Sequence, residues 1–272
     1  MISPSRFRVR FLASLGAILL ATSGLIAGGA LPATAASASA INKYVALGDS
    51  FAAGQGAPSY MNDVCLQSHN GYPALLNAVK GVNLLRNASC RGATTADVIS
   101  TQVSALNRGT TLVTLTVGGN DLDVAGVAMA CTPAPGPTCA EAIADASALL
   151  YSGVLATNLT AAYGSIAAAA PNARILITGY PYLFDPSISD PYGLVATINA
   201  ATTALNATIY GVVGQVQLAG ANIHYVDVTG VFAFHGIGSG DPWINSSGPD
   251  GFHPNALGYA AYEGVLKDVL YP

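Results

Sequence analysis

Positively charged residues are scarce in this chain. It has 10 lysines and arginines and 14 aspartates and glutamates. Three of the arginines (Arg6, Arg8 and Arg10) lie in an N-terminal segment that we expect to be removed. Without those three arginines, the chain has seven basic and 14 acidic residues, which gives a formal net charge of −7. So few cations cannot form the basic surface that nucleic acid requires, and they give little attraction to anionic lipid. No nucleic-acid partner is expected.

Metal-ligand motifs, membrane-length apolar runs and tryptophan are also rare or missing. The sequence has no C-x-x-C motif and no cluster of histidine and cysteine, so it predicts no zinc site, and we expect no metal or other cofactor. After the N-terminal segment, no apolar run reaches the roughly 18 residues typical of a membrane-spanning helix. The one tryptophan disfavours an aromatic platform for binding sugars.

The N-terminal segment has the features of a signal peptide. Basic residues are followed by an apolar stretch from Leu12 to Leu31 and by an A-x-A cleavage site at 33–35. We therefore assign residues 1–35 to a signal peptide, 36–42 to a short lead-in and 43–272 to one domain, and we expect secretion. The apolar stretch is long for a signal peptide, so an uncleaved membrane anchor is the alternative.

Ser50 is the strongest candidate for a chemical role. The apolar run 44–47 ends abruptly in Gly-Asp-Ser, which predicts a buried strand that delivers a serine to the turn at its carboxyl end. Ligands of open α/β sheets bind at the carboxyl ends of strands. By itself, however, a Gly-Asp-Ser tripeptide is more often a turn or a helix cap.

Two further blocks supply what a serine nucleophile needs. His253 is a candidate base and Asp250 a candidate group to orient it, in the chain order Ser, Asp, His. Asn120 follows another apolar run, 111–117, and its amide suits a developing oxyanion. Position 52 is alanine, so no G-x-S-x-G motif surrounds Ser50 and the α/β-hydrolase fold is disfavoured.

The chain alternates between strand-like and helix-like segments. Strand-like apolar runs recur at 44–47, 83–88, 111–117, 174–179 and 222–228. Helix-like segments lie at 72–80, 95–107, 140–170, 191–219 and 258–271, the last with Asn255 as a candidate cap. This alternation predicts an α/β fold, a three-layer α/β/α sandwich around a mostly parallel, five-stranded sheet.

Taken together, these blocks resemble the SGNH or GDSL hydrolase family, and most closely its secreted bacterial lipases and esterases. The blocks occur in family order between residues 44 and 262: Gly48-Asp49-Ser50, Gly92 within Cys90–Thr95, Gly118-x-Asn120-Asp121, and Asp250-x-x-His253-Pro254. The resemblance implies that Ser50 is the nucleophile, His253 the general base and Asp250 its partner in a triad. It also implies an oxyanion hole made by the backbone of Ser50 and Gly92 and the side chain of Asn120. Some relatives orient the histidine with a backbone carbonyl instead, so a dyad is the alternative.

The four cysteines fit an oxidising compartment. Sequence alone allows three pairings, but Cys131 and Cys139 flank a short loop that closes easily. The remaining pair is Cys65 with Cys90, which the family resemblance also suggests.

The resulting hypothesis is a secreted, monomeric serine esterase or lipase that acts on a small-molecule or lipid ester and needs no cofactor. Transient contact with a lipid surface is a further possibility. Its activity is expected to rise with pH through an ordinary histidine titration near about 6.5. The alternatives are a carbohydrate O-deacetylase and a secreted binding protein that has lost activity. The irregular stretch 229–252 contains Phe232, Phe234, His235 and Trp243, and it either lines the substrate pocket or is plain loop packing. His235 is a weaker rival to His253 as the base.

Overall fold

The computed structural model describes residues 41–131, 136–190 and 192–272. A five-stranded sheet of order β2-β1-β3-β4-β5 lies at its centre, and all four pairings are parallel. Its strands are β1 (Asn42–Gly48), β2 (Val82–Asn87), β3 (Leu112–Thr116), β4 (Arg174–Thr178) and β5 (Ile223–Val226). Each coincides with a predicted apolar run, so the predicted sheet is confirmed.

Eight α-helices are found in the described residues. They are α1 (Ser50–Ala53), α2 (Tyr72–Asn77), α3 (Thr95–Asp97), α4 (Val124–Ala130), α5 (Pro137–Tyr151), α6 (Val154–Ala169), α7 (Leu194–Leu218) and α8 (Ala256–Leu270). A π-helical turn (Val98–Gln102) and a 3₁₀ turn (Val103–Ala105) continue α3. The Asn255 side chain accepts hydrogen bonds from the backbone N–H groups of Leu257 and Gly258, so it caps α8 as predicted.

The helices cover both faces of the sheet, which makes the predicted three-layer sandwich. On one face, Tyr72 of α2 stacks on Tyr262 of α8, with ring centroids 5.3 Å apart. The Tyr72 hydroxyl bonds to Thr116 of β3, which bonds in turn to Thr178 of β4. The helices α6 and α7 pack against each other, and α7 also packs on β5. Burial of both faces explains why the strands are apolar throughout rather than alternating.

The predicted helix over 140–170 is two helices in the structure. Gly153 lies between α5 and α6 with φ = 81°, a left-handed conformation that glycine adopts without steric cost. No single helix in the described ranges is long and apolar enough to cross a membrane. The helices α5 and α6 reach that length only when counted together, and their axes are bent by 57°.

Both expected disulfides are present, Cys65–Cys90 and Cys131–Cys139. The predicted signal peptide, residues 1–35, and nearly all of the lead-in lie outside the described residues.

Candidate active site

Ser50 lies where β1 turns into α1. The turn depends on Gly48, whose φ is 126° and where an added Cβ would lie 2.2 Å from the carbonyl oxygen of Thr116. Asp49 is the N-cap of α1, and its carboxylate accepts a hydrogen bond from the Phe51 N–H at 2.9 Å. The cap makes Ser50 the first residue of the helix, with 8% of its surface exposed. The serine is thus held at the carboxyl end of a central strand.

A buried glutamine holds the same turn from the other side. The side chain of Gln102 accepts from the Gly48 N–H at 2.7 Å and donates to the Gly48 carbonyl at 2.9 Å. The Gly48 carbonyl also accepts from the Cys90 N–H at 3.0 Å, so both backbone groups of Gly48 have partners where β1 ends. Sequence reasoning missed Gln102, which appears in the sequence only as a polar residue within a helix-like segment.

His253 is hydrogen-bonded to Ser50. Its Nε2 lies 2.7 Å from Ser50 Oγ, and its Nδ1 lies 2.8 Å from the Gly251 carbonyl oxygen. A carbonyl can only accept, so Nδ1 carries the proton and Nε2 is free to accept from the serine hydroxyl. Burial holds the pKa of His253 below its usual range, although the Gly251 carbonyl and the charge of Asp250 act in the opposite direction. The titration is therefore expected below the unperturbed value of about 6.5, and the rise of activity with pH stays a prediction.

The Asp250 carboxylate makes no hydrogen bond to the imidazole in the part of the chain that the structure describes, although its charge acts on the ring. Its Oδ1 accepts a hydrogen bond from the Tyr60 hydroxyl at 2.8 Å, and that hydroxyl accepts from the Gly56 N–H at 3.0 Å. The Gly251 carbonyl occupies the place that a triad would give to the carboxylate. A backbone carbonyl, that of Gly251, therefore holds the ring, which is the kind of contact expected of a dyad.

Asn120, Gly92 and Ser50 line the same cavity. Asn120 begins a 3₁₀ turn after β3, and one hydrogen of its amide is donated to the Ala93 carbonyl at 2.9 Å. That bond connects the Asn120 turn to the Gly92 turn and leaves the second amide hydrogen for another acceptor. Asp121 reinforces the connection, since its carboxylate accepts from the Thr95 N–H at 3.0 Å and from the Thr95 hydroxyl.

Tyr180, which follows β4, is a further site residue that sequence reasoning missed. Its hydroxyl donates to Asp49 Oδ2 at 2.5 Å and accepts from the Gly119 N–H at 3.0 Å. Its ring packs edge-on against Phe51, which in turn contacts the His253 ring. Position at the carboxyl end of a predicted strand was the one signal available for it.

An apolar cavity of about 360 Å³ opens beside Ser50. This volume lies within the range of small-molecule sites. Helices α4, α5 and α7 supply about half of its lining residues. The apolar ones among them are Val124, Ala125, Val127, Ala128, Ile143, Ala146, Leu150, Ile198, Ala201 and Leu205. The cavity wall is thus mainly apolar, with a few hydroxyl groups from Ser147, Thr197 and Thr202.

The irregular stretch 229–252 contributes little to this cavity. Of its residues, only Phe252 is part of the wall. Phe232 is buried and packs edge-on against Trp243. His235 stacks on Trp243 with ring centroids 3.5 Å apart, and its Nδ1 bonds to the Asp241 carbonyl. The pocket-lining interpretation of these aromatic residues is wrong, and His235 does not line the cavity with Ser50.

Comparisons with known proteins agree with this architecture. Residues 46–261 match the model of the GDSL-like lipase/acylhydrolase family. A lipase from Streptomyces rimosus is 34% identical over 265 residues, which cover 94% of this chain and 97% of that protein. Lipase 1 from Streptomyces coelicolor is 33% identical over 267 residues, covering 96% and 98%.

Two solved structures are also similar. The extracellular lipase of Streptomyces rimosus superposes with a TM-score of 0.76 at 34% identity. Phospholipase A1 from Streptomyces albidoflavus gives a TM-score of 0.77 at 32% identity. Each comparison covers 84% of this chain and 99% of the other. The chain belongs to the GDSL-like lipase/acylhydrolase family, which confirms the resemblance seen in the sequence.

Proposed function

We propose that this carboxylic ester hydrolase works through an acyl-enzyme formed on Ser50. The observation that carries the proposal is the hydrogen bond of 2.7 Å between Ser50 Oγ and His253 Nε2, with the other ring nitrogen held by the Gly251 carbonyl. A serine hydroxyl is a weak nucleophile until a base removes its proton. The lowered pKa of His253 keeps the ring neutral, and so able to act as that base, at neutral pH.

The proposed reaction has two halves. Ser50 Oγ attacks the ester carbonyl carbon while His253 Nε2 takes the hydroxyl proton. The imidazolium returns that proton to the alkoxy oxygen as the carbon–oxygen bond breaks, and the alcohol leaves. Water then attacks the acyl-serine, again losing a proton to Nε2, and the acid is released as Ser50 regains its hydrogen.

We assign the oxyanion hole to the backbone N–H groups of Ser50 and Gly92 and the amide of Asn120. All three residues border the cavity next to the proposed nucleophile. Asn120 has one amide hydrogen tied to Ala93 and one remaining, so the side chain is oriented before any substrate arrives. Such preorganised donors stabilise charge that exists only in the transition state.

The shape and lining of the cavity favour an ester with an apolar acyl chain. Its lining is mainly apolar, with many aliphatic side chains from α4, α5 and α7. A carbohydrate O-deacetylase is less well supported, because the one tryptophan, Trp243, stacks on His235 and takes no part in the cavity wall. The activities named for the relatives, lipase and phospholipase A1, place both neutral esters and phospholipids among the substrates to test.

Replacement of the serine tests the proposal. Ser50→Ala should lower kcat on p-nitrophenyl butyrate by on the order of 10⁶, since a nucleophile and its base act as a unit. Ser104→Ala, which changes an exposed serine whose hydroxyl bonds to the Thr101 carbonyl, is the matched control and should be unaffected. Retention of more than about a tenth of the activity in Ser50→Ala would reject Ser50 as the nucleophile.

A series of acyl lengths from acetate to palmitate tests the substrate class. Each methylene buried in an apolar cavity contributes about 0.8 kcal/mol, so kcat/KM should rise by up to about fourfold per methylene until the cavity is filled. A sharp optimum at acetate would contradict the apolar-chain assignment and favour the deacetylase. The series should be run with both p-nitrophenyl esters and phospholipid vesicles.

We further propose that the enzyme is secreted. Two disulfides suit an oxidising compartment, and a similar protein of known structure is an extracellular lipase. N-terminal sequencing of the exported protein should give a start near Ala36. A chain that still begins at residue 1 and stays with the membrane would support the anchor instead.

A further inference from the structure

We propose that Tyr180 is a positioning residue that fixes the oxyanion donor Asn120 relative to Ser50, an inference that rests on the proposed function. The Tyr180 hydroxyl is the only side-chain group in the described residues that bonds directly both to the Ser50 turn and to the Asn120 turn. It donates to Asp49, the neighbour of Ser50, and accepts from Gly119, the neighbour of Asn120. One oxygen atom therefore links the two turns beyond the end of the β1–β3 ladder, where the Asp49 N–H still bonds to the Thr116 carbonyl.

The backbone at Tyr180 is itself held firmly. The side chain of Asn206, on α7, accepts from the Tyr180 N–H and donates to the Tyr180 carbonyl, both at 2.8 Å. This pair of bonds fixes the chain immediately after β4, where the sheet ladder has ended. Tyr180 is therefore anchored to a long helix, and its ring projects from a rigid base rather than from a mobile loop.

Packing around the ring also restricts its position. An added Cβ on Gly119 would lie 3.3 Å from the Tyr180 ring and hydroxyl, so the Asn120 turn rests directly on the tyrosine. The opposite contact is with Phe51, at 5.1 Å between ring centroids, and Phe51 packs 5.2 Å from the His253 ring. A shift of Tyr180 would therefore move the Asn120 turn, and through Phe51 it would also move the Ser50 turn and the His253 ring.

The protonation of the Tyr180 phenol fits a permanent connection. Burial raises the pKa of the Tyr180 phenol well above its usual value, and the charge of Asp49 raises it further. The hydroxyl therefore keeps its hydrogen, and remains a donor to Asp49, throughout the pH range in which an esterase is assayed. Tyr180 holds the two turns together without exchanging a proton with the substrate.

The test replaces Tyr180 with phenylalanine, which keeps the ring and removes the shared oxygen. Loss of the connection displaces Asn120 from the oxyanion, so kcat should fall about tenfold while KM stays within about twofold. The matched control is Tyr163→Phe, because Tyr163 is equally buried and its hydroxyl has no hydrogen-bond partner among the described residues. That control should leave both constants unchanged.

A double-mutant cycle separates positioning from general damage to the fold. If Tyr180 acts through Asn120, adding Tyr180→Phe to Asn120→Ala should cost less than about threefold in kcat beyond Asn120→Ala alone. The inference is overturned if the kcat loss of the double variant equals the product of the two single losses. It is also overturned if Tyr180→Phe raises KM at unchanged kcat, which would make Tyr180 an ordinary residue of the cavity wall. If Tyr180→Phe does not fold, Asn206→Ala removes the two bonds that hold the Tyr180 backbone, and it decides by the same cycle.

Failure of this inference can be told apart from failure of the proposed function. If Ser50→Ala is inactive and Tyr180→Phe behaves like the parent, the acyl-enzyme mechanism stands and only the positioning role is wrong. If Ser50→Ala remains active, the mechanism falls, and with it the role of Tyr180.

Discussion

The arrangement around His253 makes Asp250→Asn the most informative single substitution. The Asp250 carboxylate bonds to Tyr60 and not to the imidazole, whose Nδ1 is held by the Gly251 carbonyl. Asparagine retains an oxygen that can accept from Tyr60, so the loop geometry should survive. The substitution then removes one negative charge near the ring and little else.

The expected magnitude follows from that geometry. In a Ser-His-Asp triad whose carboxylate bonds to the ring, loss of the carboxylate costs on the order of 10⁴ in kcat. Here the orienting bond comes from Gly251 and stays in place, so we predict a loss of no more than about tenfold. The charge of Asp250 raises the pKa of His253. Its removal should therefore move the acid limb of the profile to lower pH.

The assay is kcat/KM for p-nitrophenyl butyrate between pH 5 and pH 9, for the parent, Asp250→Asn and His253→Ala. His253→Ala should lose nearly all activity at every pH, since nothing else can accept the Ser50 proton. The activity of Asp250→Asn relative to the parent should be highest at the acid end. A loss of about 10³ or more in Asp250→Asn would refute this reasoning, and would mean that the carboxylate reaches the ring in the working enzyme.

Three further predictions concern the surrounding structure. Asn120→Ala should lower kcat by about 10²–10³ with little change in KM, and poor binding at normal kcat would instead make it a pocket residue. Replacing Cys65 and Cys90 by serine should cost about 3.5 kcal/mol of unfolding free energy in the chain-entropy model, measured by urea denaturation, and an unchanged midpoint would contradict a stabilising role. Burial raises the pKa of Asp49 to about 7. Between about pH 4 and pH 7, Asp49 therefore binds more protons in the folded than in the unfolded state. Its contribution to the free energy of unfolding then falls as pH rises. Asp49→Asn should flatten that slope by up to about 1.4 kcal/mol per pH unit, and identical slopes would show that Asp49 is ionised throughout.

Much of the fold could be predicted from the sequence, because its strands are unusually apolar. Parallel strands buried on both faces appear as continuous runs such as Leu112–Thr116. The residues that follow these runs, Ser50 and Asn120, were found for the same reason, since the carboxyl ends of parallel strands meet at one edge. The break at Gly153 was missed because a single glycine within a helix-like segment is usually tolerated.

Details of the site could not be predicted, because they depend on loop geometry. The sequence places Asp250 and His253 three residues apart but does not say which oxygen faces the ring, and the backbone of Gly251 does so in the structure. The cavity wall was missed because the alanines and aliphatic residues of α4, α5 and α7 look like ordinary core residues. Conversely, aromatic residues in an irregular stretch suggested a pocket, and Phe232 proved to be buried packing.

The most direct test of the acyl-enzyme is to trap it. The protein should be mixed with an excess of a p-nitrophenyl ester, quenched in acid within the first turnover, digested and examined by mass spectrometry. We predict that the acyl group is found on the peptide containing Ser50, and that the modification is absent when His253 is replaced by alanine. An acyl group on any other residue would contradict the mechanism. Complete turnover would also contradict it if Ser50 is unmodified at every quench time and is not labelled by a serine-directed phosphonate.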